Sequence, residues 1–349
     1  MCGISGILSL NGKPIKDLKN RIQLMTRLLH HRGPDQEGMF ISQKQTFGLS
    51  NNRLSIVSPK EIIDLPFTKN KNEFLSFNGE IYNFISLKDE LKKKGIDFIT
   101  STDTEVLYEF LRNYKAEDFQ KINGMWSFAF YNEKKNELLL SRDLLGERHL
   151  FYSIENNELI FCSEVKPILH VSKNSNEMDF DSIVTSWKFN SCNPGKTLLK
   201  NILRLKPGTN LQFLNGKIKI SQFQKLHPEK WFDYFSAFSS TNDVNEKFEE
   251  IFNKEIDLRL PKDVSYFTAL SGGIDSSVLS YFISNLKPKM QTIFGISSND
   301  QELQMGEHIS ELESSYYVAK KFNLSHSHMY LNSDDAIKDL EFSAANSFD

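Results

Sequence analysis

The second residue of the chain is a cysteine, and its position would let it act as a nucleophile that carries its own base. The chain begins Met1-Cys2, and the small side chain of Cys2 favours removal of the initiator methionine. A mature chain starting at Cys2 would hold a thiol, with a reference pKa of about 8.5, and a free α-amine, with one near 8. The amine is then partly neutral near pH 7 and can accept the thiol proton, which is the requirement for nucleophilic catalysis. A cysteine at a chain end can also simply fill space, so other positions must decide.

Two charged motifs follow in the first sixty residues, and each has an ordinary alternative. The loop at 31–35 reads His-Arg-Gly-Pro-Asp and offers Arg32 and Asp35, which could also form a plain surface ion pair. Arg53 stands at the edge of a predicted strand. Its two-pronged guanidinium could clamp a carboxylate there, or it could be solvated.

The segment at 75–83 leads an apolar strand into an Asn-Gly pair. Asn78 can donate a side-chain hydrogen bond and Gly79 a bare backbone N–H, and two such donors are what an oxyanion hole needs. A plain hairpin turn is the alternative. Farther on, a capping box at 102–105 starts a helix. Asp103 lies in its first turn, where it could hold an ammonium group or only interact with the helix dipole.

A second cluster of chemistry-bearing residues follows a predicted strand at 264–270. Residues 271–277 form a glycine- and serine-rich loop that opens a helix. Backbone N–H groups at such a helix start, together with hydroxyls, bind phosphate. No Gly-Lys-Ser/Thr is present, so this is not a Walker loop. Asp275 would repel an anion unless a cation bridges them, which implies Mg²⁺; a purely structural turn between strand and helix is the alternative.

Composition limits the classes of function. The 349 residues suggest two domains. The net charge of −3 leaves no basic excess, which argues against a nucleic-acid or membrane-surface partner. The three cysteines form no CxxC pair and fit a reducing, cytoplasmic location better than a disulfide scaffold. No apolar stretch is long enough to cross a bilayer.

The elements that must position these residues fall into two groups. Strands separated by turns, with two inserted helices, run to about residue 215 and predict two stacked sheets covered by helices. The segment at 216–243 is interpreted as a linker, because its period is unclear. From 244 to 349 strands alternate with helices, which predicts a doubly wound parallel sheet. The ligand of such a sheet lies beyond the carboxyl ends of the strands.

In this order, the motifs resemble the glutamine-hydrolysing asparagine synthetase family along essentially the whole chain. Each motif is modestly specific, but amidotransferase motifs ahead of a pyrophosphatase-type loop form a highly specific combination. The residues that carry the resemblance lie at 1–4, 31–35, 53–56, 77–83, 142–143, 163–166 and 271–277.

The resemblance implies an α+β N-terminal-nucleophile domain of αββα architecture at 1–215. A linker at 216–243 would join it to a partial α/β doubly wound parallel-sheet domain of ATP-pyrophosphatase type at 244–349. The implied substrates are glutamine, aspartate and ATP, with Mg²⁺. Neither nucleic acid nor membrane is an expected partner, and a homodimer is one option left open.

For the first domain, the resemblance implies that Cys2 attacks the side-chain amide of glutamine. Asn78 and Gly79 would stabilise the tetrahedral oxyanion, and Arg32 would support the site from its loop. Three further residues would bind the amino-acid part of glutamine: Arg53 its α-carboxylate, Glu80 and Asp103 its α-ammonium.

For the second domain, the resemblance implies that ammonia arrives inside the protein and that ATP activates the β-carboxylate of aspartate as β-aspartyl-AMP. Asp275 would be the metal ligand. The implied nucleotide site consists of Leu270, Ser271, Gly272, Gly273, Asp275, Ser276, Ser277 and Gly295.

Two departures from the family pattern and two alternative functions remain. Arg148-His149 stands where the family usually has Arg-Pro, and His149 is interpreted as a solvated replacement. Family members usually continue beyond the position of Asp349, so we expect a complete glutaminase half and a truncated synthetase half. A relative that amidates another carboxylate is the main alternative, and a non-catalytic binding module is a second one.

Overall fold

The computed structural model describes residues 1–173, 177–287, 290–297, 306–331, 337–338 and 340. The chain divides into two compact units, with the boundary between Leu226 and His227. Each unit is described by itself.

The first unit contains two antiparallel sheets. The strands are β1 (Gly3–Ser9), β2 (Gln36–Ile41), β3 (Phe47–Arg53), β4 (Glu73–Ile81), β5 (Gly124–Asn132), β6 (Glu137–Arg142), β7 (Phe151–Glu155), β8 (Glu158–Cys162), β9 (Leu203–Arg204), β10 (Thr209–Leu214) and β11 (Lys217–Gln222). The six-stranded sheet has the order β2-β3-β1-β8-β7-β9, and the five-stranded sheet has the order β11-β10-β6-β5-β4. The helices are α1 (Leu18–Leu28), α2 (Phe84–Lys93), α3 (Asp103–Asn113), α4 (Val165–Val171) and α5 (Phe180–Phe189).

Alternation along the strands builds three apolar layers. Ile4 and Leu8 of β1 point into the core between the sheets, where they join residues such as Tyr131 and Phe213. Ile7 points to the other face and packs with α1 and α4. Helix α3 and neighbouring residues cover the outer face of the five-stranded sheet. Because strand side chains alternate between faces, one buried strand serves two layers, and the predicted αββα sandwich is confirmed.

Polar cross-links join the two sheets beside the start of β1. The side chain of Asn51 donates to the carbonyl of Gly3 at 3.0 Å and accepts from the N–H of Phe77 at 3.2 Å. Ser76 Oγ donates to the carbonyl of Ser50 at 2.7 Å. Buried polar groups in folded proteins are nearly always hydrogen-bonded. Here their hydrogen bonds fix β4 against β3 and β1.

The second unit has a parallel sheet. It contains α6 (Pro228–Ser236), α7 (Thr241–Arg259), β12 (Phe267–Ala269), α8 (Ile274–Leu286), β13 (Gln291–Ser297), α9 (Gly306–Lys321) and β14 (Ser325–Leu331). The strands lie in the order β12-β13-β14, and both pairs are parallel. Ile256 and Leu260 at the end of α7 pack with Phe282 and Ile283 of α8. The predicted alternation of strand and helix is therefore confirmed.

The predicted linker at 216–243 contains regular structure. Strand β11 pairs along its length with β10, and Phe223 stacks on Trp126 with ring centroids 6.0 Å apart. Helix α6 follows, with a proline in its first turn. The alternating Lys-Ile pattern of 217–220 is typical of a charged edge strand and was a signal available in the sequence.

Two observations concern the rest of the chain. Among the helices of the described ranges, none combines the length and the apolar character that crossing a bilayer would require. The last nine residues, on which the expectation of truncation rests, lie outside the described residues.

Candidate active site

Cys2 lies at the start of β1, and its sulfur contacts the end of β3. The N–H of Leu54 donates to Sγ at 3.4 Å, and the thiol lies 3.7 Å from the carbonyl of Leu54. Burial raises the pKa of the Cys2 thiol, and nearby Asp103 adds to this rise. The Leu54 N–H, the chain terminus and Arg53 oppose the rise in pKa by favouring the thiolate. The sulfur is thus buried, with groups around it that favour the anion.

One pocket contains Cys2 together with most of the residues predicted for glutamine chemistry. Besides the cysteine, the predicted residues that line it are Arg53, Asn78, Gly79, Glu80 and Asp103. They come from the residue before β1, from β3 and β4, and from α3, so the sandwich fold brings together residues as far apart in the sequence as Cys2 and Asp103. Their roles in catalysis stay predictions.

Gly79 presents its N–H at the free edge of the five-stranded sheet. Strand β4 is the last strand of that sheet. On either side of Gly79, the N–H of Phe77 donates to the Asn51 side chain at 3.2 Å. The N–H of Ile81 donates to Asp103 at 3.1 Å. Because backbone groups two residues apart point the same way along a strand, the N–H of Gly79 faces the same edge and the pocket.

The neighbouring strand supports this orientation. Trp126 of β5 stands opposite Gly79, but its N–H donates to the Asp143 carboxylate at 3.2 Å and its carbonyl accepts from the Asp143 N–H at 2.9 Å. Both backbone groups of Trp126 therefore point away from β4. A Cβ on Gly79 would lie 2.1 Å from the carbonyl oxygen of Met125, so this close approach requires glycine.

Asn78 stands beside Gly79 on β4 and lines the same pocket. Its side chain is 1 % exposed, and Nδ2 makes a long contact of 3.4 Å with Ser127 Oγ. A weakly held amide next to a backbone N–H is able to donate to a developing negative charge.

Arg53 is held rigidly at the end of β3. Its guanidinium donates to the carbonyl of Glu61 at 2.8 Å and to the carbonyl of Val57 at 2.9 Å, with a longer contact to Gln36. A guanidinium fixed by neutral carbonyls keeps its full positive charge. This arrangement suits the binding of a carboxylate.

Two carboxyl groups face the same pocket as Arg53. Asp103 follows Thr102, whose side chain caps α3. Burial raises the pKa of Asp103 to about 7, because the Ile81 N–H and Arg53 offset burial only in part and Glu80 adds to the rise. Burial also raises the pKa of Glu80, while Arg148 and the chain terminus lower it. A ligand ammonium beside these two carboxyls would favour their charged forms.

Arg32 lies behind Cys2 rather than in the pocket lining. Its Nε donates to the carbonyl of Cys2 at 2.9 Å, and Nη1 pairs with Glu164 at 2.8 Å. His31 contacts the same Glu164 oxygen at 2.9 Å. This ion pair anchors the first residues of the chain to the segment after β8.

Sequence reasoning missed Arg148, which also lines the pocket. The Asp143 carboxylate accepts the N–H groups of Leu145, Glu147 and Arg148, each at 3.0 Å, and so shapes the loop. His149 is exposed as predicted, but its Nδ1 also lies 3.0 Å from the Arg142 guanidinium. An aspartate followed within three residues by glycine was the available signal for a tight loop.

The glycine loop of the second unit joins β12 to α8. Leu270 is fully buried at the end of the strand. Gly272 has φ +82°, and a Cβ there would lie 2.5 Å from Ser314 Cβ, so no other residue fits. Ser276 Oγ bonds with Ser271 Oγ at 3.1 Å and donates to the carbonyl of Gly273 at 3.2 Å.

This loop has room for an anion at the start of α8. A Cβ on Gly273 would meet only Ser271 Oγ, at 3.5 Å. Ser277 Oγ is buried and, among the described residues, has no hydrogen-bond partner. The carbonyl of Ile293 accepts a hydrogen bond from the Leu270 N–H at 2.9 Å. Gly295 lies two residues farther along β13, and therefore at the same carboxyl edge of the sheet as the glycine loop. These features fit a phosphate group.

A metal at this loop would depend on the phosphates. Asp275 is exposed in the first turn of α8. In the described ranges there is no group of three or more His, Cys, Asp or Glu side chains that could hold a metal ion. Mg²⁺ commonly uses one or two carboxylates and completes its shell with phosphate oxygens and water, so Asp275 fits a nucleotide-bound Mg²⁺.

Sequence comparisons agree with this division of the chain. The profile described as glutamine amidotransferase domain matches residues 1–224, and the profile described as asparagine synthase matches 247–345. Asparagine synthetase (glutamine-hydrolyzing) 1 of Bacillus subtilis strain 168 is 30% identical over 298 residues, covering 84% of this chain and 45% of the relative.

A second relative and one solved structure extend the comparison. Putative asparagine synthetase (glutamine-hydrolyzing) 2 of Methanocaldococcus jannaschii is 31% identical over 298 residues, covering 80% of this chain and 56% of the relative. The chain thus spans about half the length of these curated relatives. A solved structure described as the allosteric regulatory enzyme of purine biosynthesis shares the fold, with a TM-score of 0.50 at 13% identity over 95% of this chain and 80% of the other.

The chain therefore belongs to the glutamine amidotransferase domain family over residues 1–224, followed by an asparagine synthase segment, as in the glutamine-hydrolysing asparagine synthetase family.

Proposed function

We propose that this protein releases ammonia from glutamine at Cys2 and belongs to an ATP-dependent enzyme that transfers the ammonia to aspartate, giving asparagine. The observation that carries the proposal is the shared pocket of Cys2, Arg53, Asn78, Gly79 and Asp103. It holds a nucleophile, a fixed cation for a carboxylate, two donors for an oxyanion and a carboxyl for an ammonium.

The first step is an attack of sulfur on carbon. The α-amine of the mature Cys2 accepts the thiol proton, and Sγ forms a bond to the side-chain amide carbon of glutamine. The carbonyl oxygen becomes an oxyanion, which accepts from the Gly79 N–H and the Asn78 amide. Donors that are in place before the charge develops stabilise it without reorganisation.

The second step releases ammonia and then glutamate. The ammonium form of the terminus returns its proton to the leaving nitrogen, the C–N bond breaks, and a thioester to Cys2 remains. Water then attacks the same carbon with the amine as base, the C–S bond breaks, and the thiol is restored. Throughout, Arg53 holds the α-carboxylate while Glu80 and Asp103 hold the α-ammonium.

The synthetic half rests on the glycine loop. The N-terminus of α8 and the hydroxyls of Ser271, Ser276 and Ser277 would bind the pyrophosphate part of ATP, with Asp275 turned to its Mg²⁺. Leu270 and Gly295 would lie near the adenosine. ATP supplies the activation that a carboxylate needs before an amine can displace its oxygen, and AMP and pyrophosphate are the products. A cytoplasmic location and a homodimer belong to the same proposal.

The molecule that accepts the ammonia has one alternative, a carboxylate other than aspartate. The deciding experiment incubates the protein with glutamine, ATP, Mg²⁺ and a panel of carboxylates while glutamate and pyrophosphate are measured. Glutamate release supports the first half of the proposal, and pyrophosphate release that requires aspartate supports the second. Pyrophosphate release with another carboxylate alone would replace aspartate as the acceptor, and absence of glutamate release would overturn the glutaminase assignment.

A further inference from the structure

Arg148 reaches the chain terminus from a loop whose shape does not depend on its side chain. Its backbone N–H donates to Asp143 at 3.0 Å, whereas its guanidinium extends into the pocket that contains Cys2. The Nε atom is buried and, within the described part of the chain, has no hydrogen-bond partner. A change of this side chain therefore leaves the bonds that build the loop intact.

Two guanidinium groups converge on the first residue. Nη1 of Arg148 lies 2.9 Å from the thioether sulfur of Met1, and Nη2 of Arg32 lies 3.9 Å from the same atom. Arg32 also holds the carbonyl of Cys2. The two arginines approach from different elements, the turn after α1 and the loop after β6, and frame the terminus between them.

We propose that Arg148 is a positioning residue for the glutaminase reaction: together with Arg32 it frames the chain terminus, so that the terminal amine serves as base for Cys2. This inference rests on the proposed function of the pocket. The inference goes beyond the proposed function because it assigns a role to Arg148, a residue that has no part in the proposed attack on the amide or in the proposed oxyanion hole.

The charges around the terminus support this role. Burial lowers the pKa of the terminal amine, and Arg32 and Arg148 lower it further, whereas Cys2 and Asp35 raise it. Glu80 of β4 also interacts with the terminus. The amine in the structure belongs to Met1, which lines the pocket together with Cys2; after removal of Met1 the amine belongs to Cys2. A nearby like charge disfavours the charged form of a group.

The test compares Arg148→Met, which removes the charge, with Arg148→Lys, which keeps it, in the full chain. Arg27→Met is the matched control, because Arg27 is an exposed arginine in the last turn of α1. The value of kcat for glutamine hydrolysis is measured against pH at saturating glutamine, since kcat reports the groups of the enzyme–substrate complex. A second measurement follows acylation of the terminal amine against pH in a Cys2→Ala background, by peptide mass.

In Arg148→Met we expect the acid limb of kcat to move to higher pH by about one unit, with kcat recovered at alkaline pH and KM for glutamine there unchanged. The midpoint of amine acylation should move in the same direction. Arg148→Lys and Arg27→Met should match the wild type in both measurements. An unchanged acid limb and midpoint in Arg148→Met, or an equal loss of kcat at every pH, would overturn the inference. Absence of hydrolysis in the wild type would overturn the proposed function separately, because the acylation midpoint is read without activity.

Discussion

The sulfur of Cys2 lies 3.4 Å from the backbone nitrogen of Leu54 and 3.7 Å from its carbonyl oxygen. One residue thus offers the nucleophile both a donor and an acceptor. The carbonyl can accept a hydrogen bond from the thiol, and the N–H can stabilise the thiolate after the proton has left for the terminal amine. Leu54, which directly follows β3, can therefore contact the sulfur in both protonation states. Its neighbour Arg53 is the last residue of that strand.

Replacement of the nucleophile should remove glutamine hydrolysis. We expect Cys2→Ala to release no glutamate above background, because among the residues that the structure describes no other thiol lines the pocket. Cys192→Ala is the matched control and should retain wild-type activity, since Cys192 lies outside this pocket. Glutamate release is measured enzymatically in purified protein. Hydrolysis by Cys2→Ala at a rate similar to that of the wild type would assign the chemistry to another group.

Loss of the side-chain oxyanion donor should lower the rate more than the affinity. Asn78→Ala removes a donor that acts on the developing charge, so we expect kcat to fall by about 100- to 1,000-fold with a small change in KM. Asn113→Ala, an exposed asparagine at the end of α3, should leave both constants unchanged. A large rise in KM at constant kcat would show that Asn78 binds the ground state of glutamine instead.

The affinity for glutamine should depend on pH through Asp103. Its pKa is raised to about 7, so below pH 7 the carboxyl of the empty pocket is mostly neutral and attracts an ammonium weakly. The affinity for glutamine therefore falls as the pH falls through 7 and reaches its highest value above pH 7. Calorimetric titration of Cys2→Ala with glutamine measures this, and Asp103→Asn should bind weakly at every pH. An affinity that is constant across this range in Cys2→Ala would contradict the role of Asp103.

Two adjacent glycines of the second unit should respond differently to alanine. Gly272→Ala introduces a Cβ 2.5 Å from Ser314 at a φ of +82°, so the free energy of unfolding should fall by at least about 1–2 kcal/mol. Gly273→Ala meets only Ser271 Oγ at 3.5 Å, so the fold should persist while the methyl group occupies the proposed phosphate space. Urea unfolding and binding of ATP with Mg²⁺ separate the two effects. Equal stability of both variants would contradict the assigned backbone strain, and unchanged ATP binding by Gly273→Ala would contradict the phosphate site.

Much of the first unit follows from local sequence signals. The Asn-Gly pair, the capping box before Asp103 and the buried apolar run after Cys2 each favour one local structure. The sandwich then brings these segments together, because β1 and β3 pair within one sheet and β4 packs beside them from the other. The position of Gly79 on a strand, rather than in a hairpin turn, required tertiary information, since its orientation depends on Trp126 and Asp143.

The remaining features depend on contacts between distant residues. Arg148 reaches the pocket because Asp143 accepts three backbone N–H groups of its own loop, and no periodicity reports such bonds. Strand β11 extends the sheet although its residues are mostly exposed, because backbone bonds to β10 compensate for the weak apolar pattern. The interpretation of 216–243 as linker followed from apolar periodicity alone.

The most direct test of the account identifies the residue that a glutamine analogue labels. The active protein is treated with a glutamine analogue that carries a diazoketone in place of the amide, digested, and mapped by mass spectrometry. We expect one adduct, on Cys2 as the first residue of a chain that lacks Met1, with activity lost in proportion to labelling. An adduct on Cys162 or Cys192, or on a Cys2 that still follows Met1 in fully active protein, would contradict it.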